Sequence, residues 1–121
     1  MTTVTNDANL ASVYEIAEQV CGCNGYPDAL QKIRFSWCNR LRKSIGNCRW
    51  VESDGLYEIH LSSRLFRSAG LDECVETVVH EVCHALAEII NGKDCGHGEV
   101  WKCCMERAGY PDAKDYYVAG R

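Results

Sequence analysis

The sequence predicts an α+β fold in a single domain that covers residues 1–121. Three observations support this fold class: a helical pattern near the N-terminus, alternating strand patterns in the middle, and a long, largely apolar helical pattern over residues 72–91. A chain of 121 residues with two prolines and no internal repeat suits one hydrophobic core and leaves little room for a second.

The first element is an amphipathic helix predicted over residues 7–20, with Asn6 or Asp7 as its N-cap. Its apolar positions recur at helical spacing: Leu10, Val13, Ala17 and Val20. The glycine-containing stretch 21–25 is predicted to end it, because glycine and asparagine tolerate the backbone of a helix terminus.

The middle of the chain predicts a small sheet that contains an antiparallel hairpin. Residues 32–37 alternate between polar and apolar side chains, and the strands 48–51 and 57–61 flank an Asp-Gly turn. In the last strand, Glu58 and His60 lie on the face opposite the apolar residues. We therefore expect His60 to be an exposed strand residue and not a metal ligand.

Residues 72–91 predict a buried helix, with Asp72 as N-cap and Asn91-Gly92 as its end. A polar stripe interrupts its apolar surface: Thr77, His80, Glu81, His84 and Glu88. Burying ionisable groups costs several kcal/mol unless they have partners, so this stripe predicts a functional site. A short helix is predicted over residues 99–108.

The stripe contains a His-Glu-x-x-His motif, His80-Glu81-Val82-Cys83-His84. Histidines four residues apart lie one above the other on a helix and can bind one zinc ion, Zn²⁺, while the glutamate between them acts as the catalytic carboxylate. A catalytic zinc site needs a third protein ligand. His97, in a glycine-rich turn after the helix, is the favoured candidate, and Cys95 is its rival.

Nine cysteines are present, without any Cys-x2-Cys pair. An odd number, together with an N-terminus that has no secretory pattern, predicts reduced thiols that mostly serve as small apolar residues. We expect an intracellular, cytoplasmic protein, or a nuclear one in a eukaryote. No apolar run is long enough to span a bilayer, so no membrane partner is expected. The oligomeric state stays open.

The segment between Asp28 and Glu52 contains basic residues and no acid, although the whole chain has a formal charge of −4. Together with neighbouring aromatic residues, these side chains are candidates for DNA binding: Arg34, Arg40, Arg42, Lys43 and Arg49. The alternative is a solvated basic face on a β-hairpin whose aromatic residues turn into the core.

The run from Trp37 to about Tyr110 resembles the SprT-like metalloprotease domain, the family that includes Spartan and germ cell nuclear acidic protein. The resemblance rests on two motifs, HEVCHAL at residues 80–86 and GHGEVWK at residues 96–102, with weaker similarity at 46–48, 59–62 and Leu65.

The resemblance implies a zincin-like fold in which His80, His84 and His97 bind zinc and Glu81 is catalytic. It also implies an endopeptidase that acts on DNA-associated or DNA-crosslinked proteins. Such a protein binds a protein or peptide substrate and DNA.

Several alternatives stay open. Glu88 either orients a zinc ligand or is a solvated helix end. Tyr110, Tyr116 and Tyr117 are candidate oxyanion donors, but each is expected to serve in packing. The chain as a whole is alternatively a non-catalytic, zinc-stabilised module that binds DNA or protein, or a zinc hydrolase for small peptides.

Overall fold

The structure, a computed structural model, describes residues 10–38, 46–92 and 98–112, apart from the side chain of Leu65. Within these ranges the chain is α+β, as predicted. The helices and strands are α1 (Leu10–Cys23), β1 (Ile33–Cys38), β2 (Gly46–Val51), β3 (Leu56–Ser62), α2 (Ser63–Ser68), α3 (Leu71–Asn91) and α4 (Glu99–Arg107), with a 3-10 helix at Pro27–Lys32.

The three strands form one mixed sheet in the order β1-β3-β2. The predicted hairpin is present, since β2 and β3 are antiparallel and the backbone N–H of Gly55 donates a 2.9 Å hydrogen bond to the carbonyl of Val51. Gly55 has a φ of +66°, which a residue with a Cβ rarely adopts. Strand β1 pairs with β3 in parallel. Because β3 pairs with both other strands, the central strand of the sheet is the last of the three in the chain.

The register divides the sheet into an apolar and a polar face. Ile59 and Leu61 are fully buried on the inner face. On the outer face, Glu58 lies between Arg34 and Arg49. His60 also lies on the outer face, with its Nε2 3.2 Å from Oε1 of Glu58. His60 therefore lies on the predicted face of the strand, but it is half-buried and not exposed, because it packs beside Glu58.

The longest helix, α3, packs against α1, α4 and the sheet, and its central turns are buried. Its predicted N-cap was wrong: Gly70 occupies that position, and Asp72 lies inside the first turn, where a carboxylate interacts favourably with the helix dipole. The predicted C-terminus is confirmed, because Gly92 follows the helix with a left-handed φ of +79°.

One helix ends later than predicted, and two short helices were not predicted. Helix α1 continues to Cys23, because the fully buried Cys21 anchors its last turn to the core despite the helix-weakening Gly22. The proposed caps Asn6 and Asp7 lie outside the described residues. Helix α2 and the 3-10 helix at Pro27–Lys32 were not predicted, since segments of six residues are too short to show a period.

The cysteines that the structure describes are free thiols. Cys21, Cys74, Cys83 and Cys104 are buried, Cys23 is exposed, and the remaining three are half-buried. Burial raises the pKa of Cys21 and of Cys74 to about 11, which keeps both protonated at neutral pH. Among the described helices, none is both long and apolar enough to span a membrane.

Candidate metal centre

The two histidines of the motif project from consecutive turns of α3 and meet at their ring nitrogens. Nε2 of His80 lies 3.2 Å from Nε2 of His84. Both side chains are nearly inaccessible, with 1% and 4% of their surface exposed. The helical spacing of four residues therefore brings both imidazoles to one point, as the sequence predicts.

This pair fits a zinc ion. Two tetrahedral ligands at about 2.05 Å from zinc are separated by about 3.3 Å, close to the distance between the two Nε2 atoms. The same separation suits an N–H···N hydrogen bond between two neutral imidazoles in the metal-free chain. The donor chemistry and the distance are therefore both compatible with the implied metal.

Glu81, which lies between the two histidines in the sequence, is fully buried. An ionisable carboxylate in this position costs folding free energy unless its surroundings stabilise it. A buried carboxylate that is the sequence neighbour of one of two converging imidazoles is typical of a functional group rather than of a packing residue.

Trp101 of α4 packs against the two histidines. Its indole is 1% exposed, and its Nε1–H donates a 3.3 Å hydrogen bond to the backbone carbonyl of His80. The ring also contacts both imidazoles. Trp101 is not among the residues that the sequence predicts at the site. Its place in the GHGEVWK motif, directly after the metal helix, is the signal that could have identified it.

The third ligand is not located by this structure, because His97 and its rival Cys95 lie outside the described residues. Among residues 10–38, 46–92 and 98–112, no group of three His, Cys, Asp or Glu side chains converges to hold a metal ion. The assignment of His97 as third ligand therefore stays a prediction.

The other candidates at the site divide into two groups. Glu88 is half-buried on α3, one turn beyond His84, and its role stays a prediction. Tyr110 lines a cavity of about 300 Å³ between α1 and α3, and neither motif histidine lines that cavity. Burial, with a smaller effect of Glu76 and Asp72, raises the pKa of Tyr110. Tyr116 and Tyr117 lie outside the described residues.

The basic segment is only partly described. Arg34 and Arg49 lie on the outer face of the sheet, on either side of Glu58, whereas Arg40, Arg42 and Lys43 lie outside the described residues. The Arg34 guanidinium is 2.7 Å from a carboxylate oxygen of Asp54 and 3.2 Å from one of Glu58. Arg49 is exposed. Of these two arginines, Arg49 is therefore the one better placed to contact a phosphate.

Over part of its length the chain is similar to three germ cell nuclear acidic proteins. The chain is 33% identical over 84 residues to the germ cell nuclear acidic protein of Drosophila melanogaster, and 31% identical over 77 residues to that of Homo sapiens. These alignments cover 66% and 60% of this chain but only 8% and 11% of the relatives. The germ cell nuclear acidic-1 protein of Caenorhabditis elegans is 35% identical over 74 residues, which are 60% of this chain and 13% of that relative.

The chain thus spans about a tenth of the length of the curated relatives it matches. A family model matches far more of this chain, from residue 12 to residue 117, which includes both sequence motifs and every described element that surrounds the histidines. The chain belongs to the SprT-like family.

Proposed function

We propose that this chain is a zinc-dependent endopeptidase of the SprT-like type that acts on DNA-associated or DNA-crosslinked proteins. The observation that carries the proposal is the convergence of the His80 and His84 Nε2 atoms at 3.2 Å, on a helix that also buries Glu81 completely. Membership of the SprT-like family supports the same function.

In this proposal His80 and His84 bind zinc through Nε2, and His97 is the third ligand. Zinc, when bound, polarises the scissile carbonyl and makes a water molecule more acidic. The Glu81 carboxylate accepts a proton from that water as the water attacks the carbonyl carbon. The protonated Glu81 then donates the proton to the nitrogen of the leaving amine as the peptide bond breaks.

The peptidase activity is tested by Glu81→Gln in the zinc-loaded protein. Glutamine keeps the size of the side chain but cannot accept the proton, so cleavage of an unfolded protein substrate should fall by about 10²- to 10⁴-fold. Glu76→Gln is the matched control, because it makes the same substitution at a glutamate earlier on α3, outside the His-Glu-x-x-His motif, and should leave activity unchanged.

Zinc content should stay near one ion per chain in both variants. Equal activity of the wild type and Glu81→Gln, measured with and without DNA, would contradict the proposal.

The DNA-related part of the proposal is supported by the basic residues around β2. The exposed Arg49 lies on the outer face of the sheet, in a segment that also contains Arg40 and Arg42. A DNA-stimulated peptidase should lose its stimulation as salt rises, because phosphate contacts release counterions from DNA.

The test is DNA-stimulated cleavage by Arg49→Glu and by the double variant Arg40→Glu with Arg42→Glu. We expect both to reduce the stimulation while zinc content and DNA-independent cleavage stay unchanged. Arg34→Ala should have the smaller effect, because two carboxylates already neutralise its guanidinium. Stimulation that persists in the charge-reversal variants and at high salt would contradict a role of these arginines in DNA binding. Wild-type cleavage that DNA does not stimulate would favour a zinc hydrolase that acts without DNA.

A further inference from the structure

A single side chain of α4 contacts both imidazoles of the candidate metal centre. The Trp101 ring stacks on His84, with centroids 5.7 Å apart and planes inclined by 27°, and meets His80 edge-on at 5.0 Å. We propose that Trp101 is a positioning residue that holds both rings in the orientation that zinc requires. This inference rests on the proposed zinc site and adds a determinant of its metal affinity.

The two ring contacts constrain different motions. An imidazole rotates about the bond that joins it to Cβ, and this rotation has a broad energy minimum. An aromatic ring stacked on His84 restricts that rotation, while the perpendicular contact limits His80 from the side. Because both contacts come from one rigid indole, the two imidazoles are oriented relative to each other.

The indole itself is held by α3. Its Nε1–H donates a hydrogen bond of 3.3 Å to the carbonyl oxygen of His80, and the side chain is 1% exposed. The orienting ring is therefore fixed to the backbone of one of the residues that it orients. Movement of α4 relative to α3 would break this hydrogen bond and both ring contacts together.

Residues that orient metal ligands influence affinity because they reduce the rotational freedom that is lost on binding. Their substitution typically weakens metal binding by about 10- to 100-fold. Phenylalanine at position 101 would keep an aromatic ring in the core, but it would remove the N–H donor and cover less of the two imidazoles. We therefore expect Trp101→Phe to weaken zinc binding about tenfold or more.

Trp37, a half-buried tryptophan that packs against the same core, provides the control. It makes an edge-on contact with Phe66 at 5.4 Å, and its indole N–H has no hydrogen-bond partner among the described residues. Trp37→Phe removes the same atoms as Trp101→Phe without a described contact to the motif histidines. A general effect of a smaller aromatic side chain should therefore appear equally in both variants.

The experiment measures zinc affinity of the wild type and both variants by competition with a chromophoric chelator. The visible absorption spectrum of the cobalt-substituted proteins reports ligand geometry, and thermal unfolding of the metal-free proteins reports the fold. We expect weaker zinc binding and an altered cobalt spectrum for Trp101→Phe only. Trp37→Phe should bind zinc within about twofold of the wild type, because it leaves the orienting contacts intact.

Equal zinc affinity and identical cobalt spectra for the two variants would overturn the inference and leave the proposed peptidase intact. A wild type that binds no zinc would instead contradict the proposed function. If Trp101→Phe does not fold, Trp101→Tyr is judged by the same comparison. Failure of both to fold, while Trp37→Phe folds, would mark Trp101 as a packing residue and also overturn the inference.

Discussion

At the scale of a single residue, Arg34 shows that a basic side chain is not available to bind phosphate when carboxylates already pair with it. The sequence places it in a segment that lacks acids, but the fold brings Asp54 and Glu58 to its guanidinium. Glu58 in turn contacts His60. The charges of this surface are therefore determined by cross-strand pairing, which a linear pattern does not contain.

Arg34→Ala should raise the pKa of Asp54 toward its ordinary value. The hydrogen bond from Arg34 is the main cause that holds the pKa of the Asp54 carboxyl below its usual range. A lowered pKa in the folded state means that the pair stabilises the fold at neutral pH, and that this stabilisation is lost as the pH falls through that lowered value.

The Asp54 prediction is checked by NMR titration of its side-chain carboxyl carbon. Arg49→Ala is the control, because Arg49 lies on the same face of the sheet but is not hydrogen-bonded to Asp54 in the structure. Identical Asp54 titration curves in the wild type and Arg34→Ala would show that the ion pair does not form in solution.

At the same scale, the convergence of the motif histidines could be predicted from helical spacing, whereas the contact of Trp101 with them could not. The convergence of His80 and His84 follows from helical spacing within one element. The contact of Trp101 with both rings depends on how α4 packs against α3, across 21 residues of chain. Local periodicity predicts which residues share a helix face, but it does not predict which residue of another helix will cover them.

At the scale of elements, Gly46 at the start of β2 allows the sheet to approach α3 closely. A Cβ built there would lie 3.1 Å from a methyl group of Leu61, 3.2 Å from the carbonyl oxygen of His60 and 3.4 Å from the methyl group of Thr77 on α3. These neighbours belong to the central strand β3 and to helix α3. Strand and helix can therefore keep their present spacing only with a very small residue at position 46.

We predict that Gly46→Ala destabilises the fold by about 1–3 kcal/mol, because it overpacks this contact. Gly22→Ala is the opposite case: its Cβ would meet nothing within 4 Å, and alanine in place of glycine should stabilise α1 by about 0.5–1 kcal/mol. Urea denaturation of both variants measures the two changes. Equal effects of the two substitutions would contradict the close approach at Gly46.

The elements differ in how far they could be predicted. The Asp-Gly turn specifies the β2–β3 hairpin locally, and the apolar period specifies α3. The parallel pairing of β1 with β3 could not be predicted, because the paired residues are 24 positions apart in the chain and no local pattern encodes the pairing. The N-cap of α3 could not be predicted either. Gly70 takes this position in place of the expected Asp72 and has no side chain with which to form a capping hydrogen bond.

At the scale of the whole molecule, the described elements share one hydrophobic core made of apolar side chains from α1, the sheet, α3 and α4. The candidate metal centre lies where α4 contacts α3, and these apolar side chains form a core besides it. We therefore expect the metal-free chain to fold, unlike a small domain that is held together by a structural zinc ion.

Zinc at about 100 times its dissociation constant should stabilise the folded chain by about 2.7 kcal/mol, which corresponds to a rise in Tm of roughly 10 °C. His84→Ala should fold without metal and show a much smaller zinc-dependent rise. Thermal unfolding, followed by circular dichroism with a chelator and with added zinc, measures both. A wild type that is unfolded without zinc would favour the non-catalytic, zinc-stabilised binding module.

The zinc content of the purified wild type and of His97→Ala tests the central claim most directly, because it asks whether a third histidine completes the pair on α3. The account predicts close to one zinc ion per wild-type chain and a marked loss in His97→Ala, with Tyr110→Phe as a control that keeps the metal. Unchanged zinc in His97→Ala would contradict the three-histidine site and would require Cys95 or another group to complete it.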